Sequence, residues 1–243
     1  MEFIKIPEIG RSYRHHHRVL LSDADPDGRL RIDGVSRILH DAATLDNQSA
    51  PLDDKGLWVI RSIDTRIHFY PRYLEEVEAV TACTGTGRAW AERRTDLLVG
   101  GKVAIAARAT WINTSPATGL PAQLPAGFDE VFGPSAQGRV IRPALRMKAP
   151  SEDPAQNLSF PVRYGDQDVV GHVNNAVYAA ALEEAARASA LPGLERAEGY
   201  SIEFVTPAQY PGSLEISLWH GERSLTAAMY QAGTLASIAK VSF

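Results

Sequence analysis

Ten consecutive residues carry most of the reactive groups that this sequence places close together. They are Asp166-Gln167-Asp168-Val169-Val170-Gly171-His172-Val173-Asn174-Asn175, directly ahead of an alanine-rich helical segment. A carboxylate in such a place can take a proton from water or attack a carbonyl itself. A helix start offers unpaired backbone N–H groups and a partial positive charge, which suit an oxyanion forming on that carbonyl. Gly171 has no Cβ, so a substrate can approach the backbone there. Asp168 is therefore the candidate general base or nucleophile. His172 is the candidate partner that hydrogen-bonds the substrate or orients the aspartate. Gly171, Val173, Asn174 and Asn175 are the candidate substrate-side residues. Structural uses compete with these: an Asp before a helix makes an Asx turn or a cap, and an Asn caps well. Further along the helix, Glu184 is a candidate for a cavity, whereas Glu183 is spaced i, i+4 from Arg187 and is expected to form a surface pair.

The same phrase occurs earlier, as Asp23-Ala24-Asp25-Pro26-Asp27-Gly28. The spacing is constant at 143 residues: 23 to 166, 25 to 168 and 28 to 171. Each copy follows an apolar-rich run and precedes a helical one, so two related halves are expected. The copies diverge after the glycine. The first continues as Arg29-Leu30-Arg31-Ile32 and carries Pro26, so it is expected to be a degenerate site kept for its turn.

The elements that must hold these residues follow from periodicity. In the first half, Val19-Leu20-Leu21 is read as a strand. A helix over about 33–46 carries Val35, Ile38, Leu39 and Ala42 on one face. Strands are expected within Gly56–Arg72 and over 75–90, 91–99 and 102–113, with Gly100-Gly101 as a hairpin turn. Residues 114–158 are proline-rich with little periodicity, a connector with a short helix near 127–132. The second half repeats the plan: a strand over 160–164, a helix over about 174–190, then strands over 200–205, 213–221, 224–231 and 234–242. A helix with an apolar stripe must bury it, and here the sheet is the partner.

Composition narrows the classes. The chain has 243 residues, 44% hydrophobic and 22% charged, with a net charge of −4, which gives no reason to propose nucleic-acid or membrane binding. The single Cys83 precludes an internal disulfide framework and fits a reducing cytoplasm; on a strand it is expected to be a buried thiol. Met1–Lys5 lacks the apolar stretch of a signal peptide. His15-His16-His17 would alternate in direction on a strand and so cannot all face one metal ion. No cofactor is expected.

Strand, Asp-x-Asp-x-x-Gly-His-Val-Asn-Asn, helix resembles the signature of hot-dog thioesterases, and residues 163–178 match it nearly throughout. The first half resembles the acyl-acyl-carrier-protein (acyl-ACP) thioesterases of plants and bacteria. The match is carried by Trp58-Val59, Tyr70-Pro71, Val77, Thr81, Gly87–Trp90, Arg93-Arg94-x-Asp96, Ala109-x-Trp111 and Leu124-Pro125. The resemblance covers most of residues 14–243. It implies an α+β fold of two tandem hot-dog units, each an antiparallel sheet wrapped around one long helix. The N-terminal unit (14–115) would shape the acyl-chain pocket. A Pro-rich connector (116–157) would lead to a C-terminal unit (158–243) holding the site. It also implies Asp168 as the catalytic aspartate, a role in fatty acid biosynthesis, and an acyl carrier protein or CoA thioester as partner; the protein would be a monomer or homodimer. Two departures bear on the site. The plant enzymes have an Asn two residues after the aspartate, where this chain has Val170. They also have a Glu-Cys pair on the next strand, where it has Pro207 and Ala208.

The reading these residues favour is hydrolysis of a fatty acyl-ACP thioester. Acyl-CoA hydrolysis is the second; carrier proteins are acidic, so a docking face for one should be basic, and Arg139, Arg142, Arg146 and Lys148 could supply that face or be merely a solvated linker. A non-catalytic acyl-thioester binding protein is the third. A hot-dog dehydratase using His172 and Glu184 is the fourth, and the signature phrase argues against it.

Overall fold

The computed structural model describes residues 3–53, 56–142, 145–189 and 194–243. Ten strands form one antiparallel sheet. The first-half strands are β1 (Ser12–Arg18), β2 (Leu57–Ile67), β3 (Glu76–Thr86), β4 (Trp90–Val99) and β5 (Lys102–Thr114). The second-half strands are β6 (Gln156–Val162), β7 (Gly199–Phe204), β8 (Gly212–Gly221), β9 (Ser224–Gln231) and β10 (Thr234–Ser242). The helices are α1 (Ile32–Ser49), α2 (Phe128–Ala136) and α3 (Asn175–Ala188). α3 ends at its extended C-cap Ser189, short of the expected range, whose last residue, 190, lies outside the described residues. No helix among the described residues is long and apolar enough to cross a membrane.

The spatial order is β1-β3-β4-β5-β2-β7-β10-β9-β8-β6. From the outer edge inward, the first half runs 1-3-4-5-2 and the second half 6-8-9-10-7, which is the same order. The halves meet where β2 pairs with β7, Ser62, Ile63 and Asp64 lying opposite Glu203, Ile202 and Ser201. Polar links tighten this joint. The Thr65 hydroxyl accepts from the Tyr200 amide and donates to the Tyr200 carbonyl, each 2.9 Å, and the Ser201 hydroxyl donates to Asp64 Oδ1 at 2.7 Å. Gly199 is required here, because a Cβ would come within 2.3 Å of the Thr65 carbonyl oxygen.

Both long helices pack into one continuous apolar core drawn from both halves. α1 contributes Val35, Ile38, Leu39 and Ala42, as its periodicity predicts. α3 contributes Ala176, Ala179, Ala181, Leu182, Ala185 and Ala186; its small side chains favour helix and allow close approach. α1 and α3 run against each other in opposite senses. Glu183, late in α3, reaches the first residue of α1, its Oε2 accepting from the Ile32 amide at 3.3 Å.

Two expectations are corrected. Val19-Leu20-Leu21 is not a strand: Leu20 and Leu21 are exposed beyond the end of β1. The strand is the polar run ahead of it, an edge strand held to β3 by Arg14–Glu78 and Arg18–Glu76 pairs. On it His15 and His17 face one side and His16 the other. The Glu183–Arg187 surface pair does not form. Glu183 is buried, and Arg187 instead reaches Asp25 of the first phrase at 3.0 Å. Gly100-Gly101 does close the β4–β5 hairpin, both with positive φ, as a tight two-residue turn requires. Cys83 is buried, and burial pushes its thiol pKa up.

Candidate active site

The two repeated phrases fold into the same loop. In the second, the Asp168 amide donates to the His172 carbonyl (2.9 Å) and the Gly171 amide to the Asp168 carbonyl (3.0 Å). The Asn174 amide donates to the Asp166 carbonyl (2.9 Å), and the Val170 amide to Asp168 Oδ1 (2.9 Å). In the first, 143 positions earlier, Asp25 donates to Arg29, Gly28 to Asp25, Arg31 to Asp23, and Asp27 to Asp25 Oδ1, at 2.8–2.9 Å. Gly28 and Gly171 both sit in the left-handed region, at φ 76° and 80°, where a side chain would be strained. The aspartates and the glycine are thus explained in both copies by the turn alone.

The carboxylates differ. Asp25 Oδ1 also accepts from the Arg29 amide at 2.8 Å, and its Oδ2 pairs with Arg187 at 3.0 Å and faces Arg29 at 3.8 Å. The Asp168 carboxylate has one hydrogen bond among the described residues, from the Val170 amide, so its Oδ2 is free to take a proton or to attack. It is only partly buried, on a loop whose Val169, Val170 and Gly171 are exposed.

Hydrogen bonds tie down the base of the loop. Asp166 is buried and accepts from the Arg163 amide (2.7 Å) and guanidinium (2.7 Å). Asn174 caps α3, its Oδ1 accepting from the Ala176 amide at 2.9 Å. The Val173 amide donates to the Ala208 carbonyl at 2.9 Å, and the Ala208 amide donates to the Tyr178 hydroxyl at 2.9 Å. Pro207-Ala208 therefore lies against the loop, where it offers backbone groups and no reactive side chain.

These bonds sort the candidate residues. The amides of Gly171, Val173 and Asn174 are spent within the protein. The amides of His172 and Asn175 have no partner among the described residues, nor do the His172 ring and the Asn175 carboxamide. The structure brings Asp168, Gly171, His172, Val173, Asn174 and Asn175 together. It does not bring Glu184 to them: that side chain is exposed, nine residues into α3, about 13 Å along the axis at ~1.5 Å per residue. The solvent-facing side of α3 cannot also line a cavity at its start.

Two groups beyond the phrase sense the Asp168 charge. Burial raises the Tyr178 pKa, with Asp168 adding to the effect. His40 of α1 is held down to about 4 by burial, against the opposing pull of Asp168. Among the described residues its Nε2 is buried without a hydrogen-bond partner, as is Nε1 of Trp111 on β5, and the two rings meet edge to face with centroids 5.7 Å apart. Sequence reasoning missed His40. The one signal was its position 143 residues before Glu183, at the matching place on the other helix.

Residues 10–125 match the model of the acyl-ACP thioesterase N-terminal domain, and residues 149–234 match that of its C-terminal domain. The chain belongs to the acyl-ACP thioesterase family. It is accordingly a thioester hydrolase. Among solved structures it is similar to an acyl-ACP thioesterase from Bacteroides thetaiotaomicron, at TM-score 0.78 and 19% identity, covering 96% of this chain and 97% of that one. It is also similar to a 12:0-ACP thioesterase from Umbellularia californica, at TM-score 0.76 and 16% identity, covering 95% and 96%. No curated protein matches it in sequence. At these identities the structural likeness speaks for the fold, an α+β arrangement with a large antiparallel sheet, and the family models carry the activity.

Proposed function

We propose that this acyl-ACP thioesterase releases a free fatty acid from acyl-ACP at the loop 166–175. Each half is read as a hot-dog unit, with the first shaping the acyl pocket and the second carrying Asp168. Asp168 serves as general base for a water or as the attacking carboxylate. In the first route the water oxygen bonds to the carbonyl carbon as its proton passes to Asp168. The carbonyl oxygen carries the electron pair until the C–S bond breaks, and the departing thiolate takes up the proton. The amides of His172 and Asn175 at the α3 start are the backbone donors left for that oxygen. The His172 ring and the Asn175 carboxamide face the substrate. Gly171 and Val173 line the approach.

The observation that carries this reading is the contrast between the repeats. One backbone loop is built twice; in the first copy the aspartate is held by Arg29 and Arg187, and in the second its carboxylate meets only the Val170 amide among the described residues. The turn uses Oδ1 of Asp168, through the Val170 amide, and leaves Oδ2 without a hydrogen-bond partner among the described residues, which fits a reactive role beside a helix start.

Surface charge supports the carrier reading. Of the four basic connector residues, Arg139 is tied to Glu92 at 2.7 Å, while Arg142, Arg146 and Lys148 are exposed and remain for an acidic carrier. With one acyl chain on both carriers, kcat/KM is expected to be higher for acyl-ACP and to fall as salt rises. Equal or higher values on acyl-CoA would reassign the substrate to CoA thioesters. Hydrolysis of neither, over a range of chain lengths, would leave a binding protein.

A further inference from the structure

His40 and Trp111 present a problem that folding alone does not explain. Each buries a ring nitrogen without a hydrogen-bond partner among the described residues, and such groups in native proteins ask for a reason because they cost stability. The pair belongs to the first half, His40 on α1 and Trp111 on β5. Its place is defined from two directions. α1 and α3 run antiparallel, so the start of α1 meets the late part of α3 at Ile32–Glu183, and residues further along α1 face the start of α3. The repeat gives the same answer: His40 answers Glu183, and as Glu183 lies across from the first loop, His40 lies across from the second. Asp168 is the charged group whose field reaches it.

We propose that His40 and Trp111 complete the reaction site from the N-terminal half, donating their ring N–H groups to the carbonyl oxygen of the acyl thioester held against Asp168. This rests on the thioesterase reading given above and changes its division of labour: the first half does more than bind the chain. The acceptor these ring nitrogens lack is one that every acyl thioester brings to Asp168, its carbonyl oxygen. As the water oxygen bonds to that carbon and its proton passes to Asp168, charge grows on the carbonyl oxygen. On this proposal the two ring N–H groups, rather than the His172 and Asn175 amides, hold it until the C–S bond breaks. Burial keeps His40 neutral, so it donates without forming an ion pair that would disable the Asp168 carboxylate.

The test uses the full-length enzyme and compares wild type with His40→Leu, His40→Gln and Trp111→Phe on a short and a long acyl chain. His40→Leu is expected to lower kcat by about 100-fold, within the range for loss of one oxyanion donor, with KM little changed and the same loss on both chains. His40→Gln, whose carboxamide N–H reaches a similar place, should recover most of that loss, and Trp111→Phe, which removes the other donor, should lower kcat by about 100-fold on the same basis. Thermal unfolding of each variant is recorded alongside. Wild-type kcat in His40→Leu would overturn the proposal. So would a loss confined to KM or to one chain length, which marks pocket packing, or a loss that His40→Gln does not relieve. A wild type that hydrolyses no thioester would instead remove the functional reading itself, before any variant is compared.

Discussion

Asp25 and Asp168 occupy the same backbone position and differ only in what holds their carboxylates. The sequence marked both, and it marked His172 and the asparagines in the second copy alone. It did not indicate that Arg187 would cross from α3 to neutralise Asp25. Nor did it indicate that Glu183, taken for a surface residue, would be buried against the N-terminus of α1. Both are contacts between halves, which periodicity along one helix does not encode. Glu183 supports a prediction at this scale. Burial first, and the Asp33 charge second, push its carboxyl up to about 7. A carboxyl raised above its ordinary value binds its proton more readily folded than unfolded. The stability it contributes is present below about pH 4.5 and is lost as pH rises through 7. Thermal unfolding at pH 5 and pH 8 should therefore show a larger fall in Tm for wild type than for Glu183→Gln. Equal falls would mean that the group is ionised at no cost. His40 acts in the opposite sense, its burial opposing stability as pH falls from about 6.5 toward 4, so the comparison with the variant isolates Glu183.

At the scale of elements, the sequence was legible wherever a period was clean or a turn was forced. The core face of α1, the Gly-Gly hairpin and the strands 224–231 and 234–242 all stand as their patterns imply. The first strand was misplaced because apolar content was the guide there. β1 is an edge strand whose alternation is carried by Arg, His and Tyr, with ion pairs to β3, so its signal lay in polarity. The α3 start depends on one capping residue. Asn174→Ala removes the acceptor for the Ala176 amide and should cost about 1 kcal/mol of stability, measurable by denaturant unfolding. Because the cap also sets the loop that carries Asp168, kcat should fall with it. Unchanged stability would show the Ala176 amide to be satisfied by other means.

For the whole molecule, the repeat foretold two halves but not how closely they join. They share one ten-stranded sheet through β2 and β7, one core, and the antiparallel contact of α1 with α3. The second loop leads into α3, which packs against α1 of the first half, so the proposed site belongs to the joined pair, while the first loop is braced by Arg187 on Asp25. The central claim is that this assembly hydrolyses acyl thioesters through the free carboxylate of Asp168. Steady-state hydrolysis of acyl-ACP by wild type and Asp168→Asn, with binding of the acyl-ACP measured on both, tests it most directly. The expected result is a loss of kcat of at least about 1,000-fold, in the range for removal of a general base, with affinity within a few-fold of wild type. Turnover by Asp168→Asn within tenfold of wild type would contradict the account.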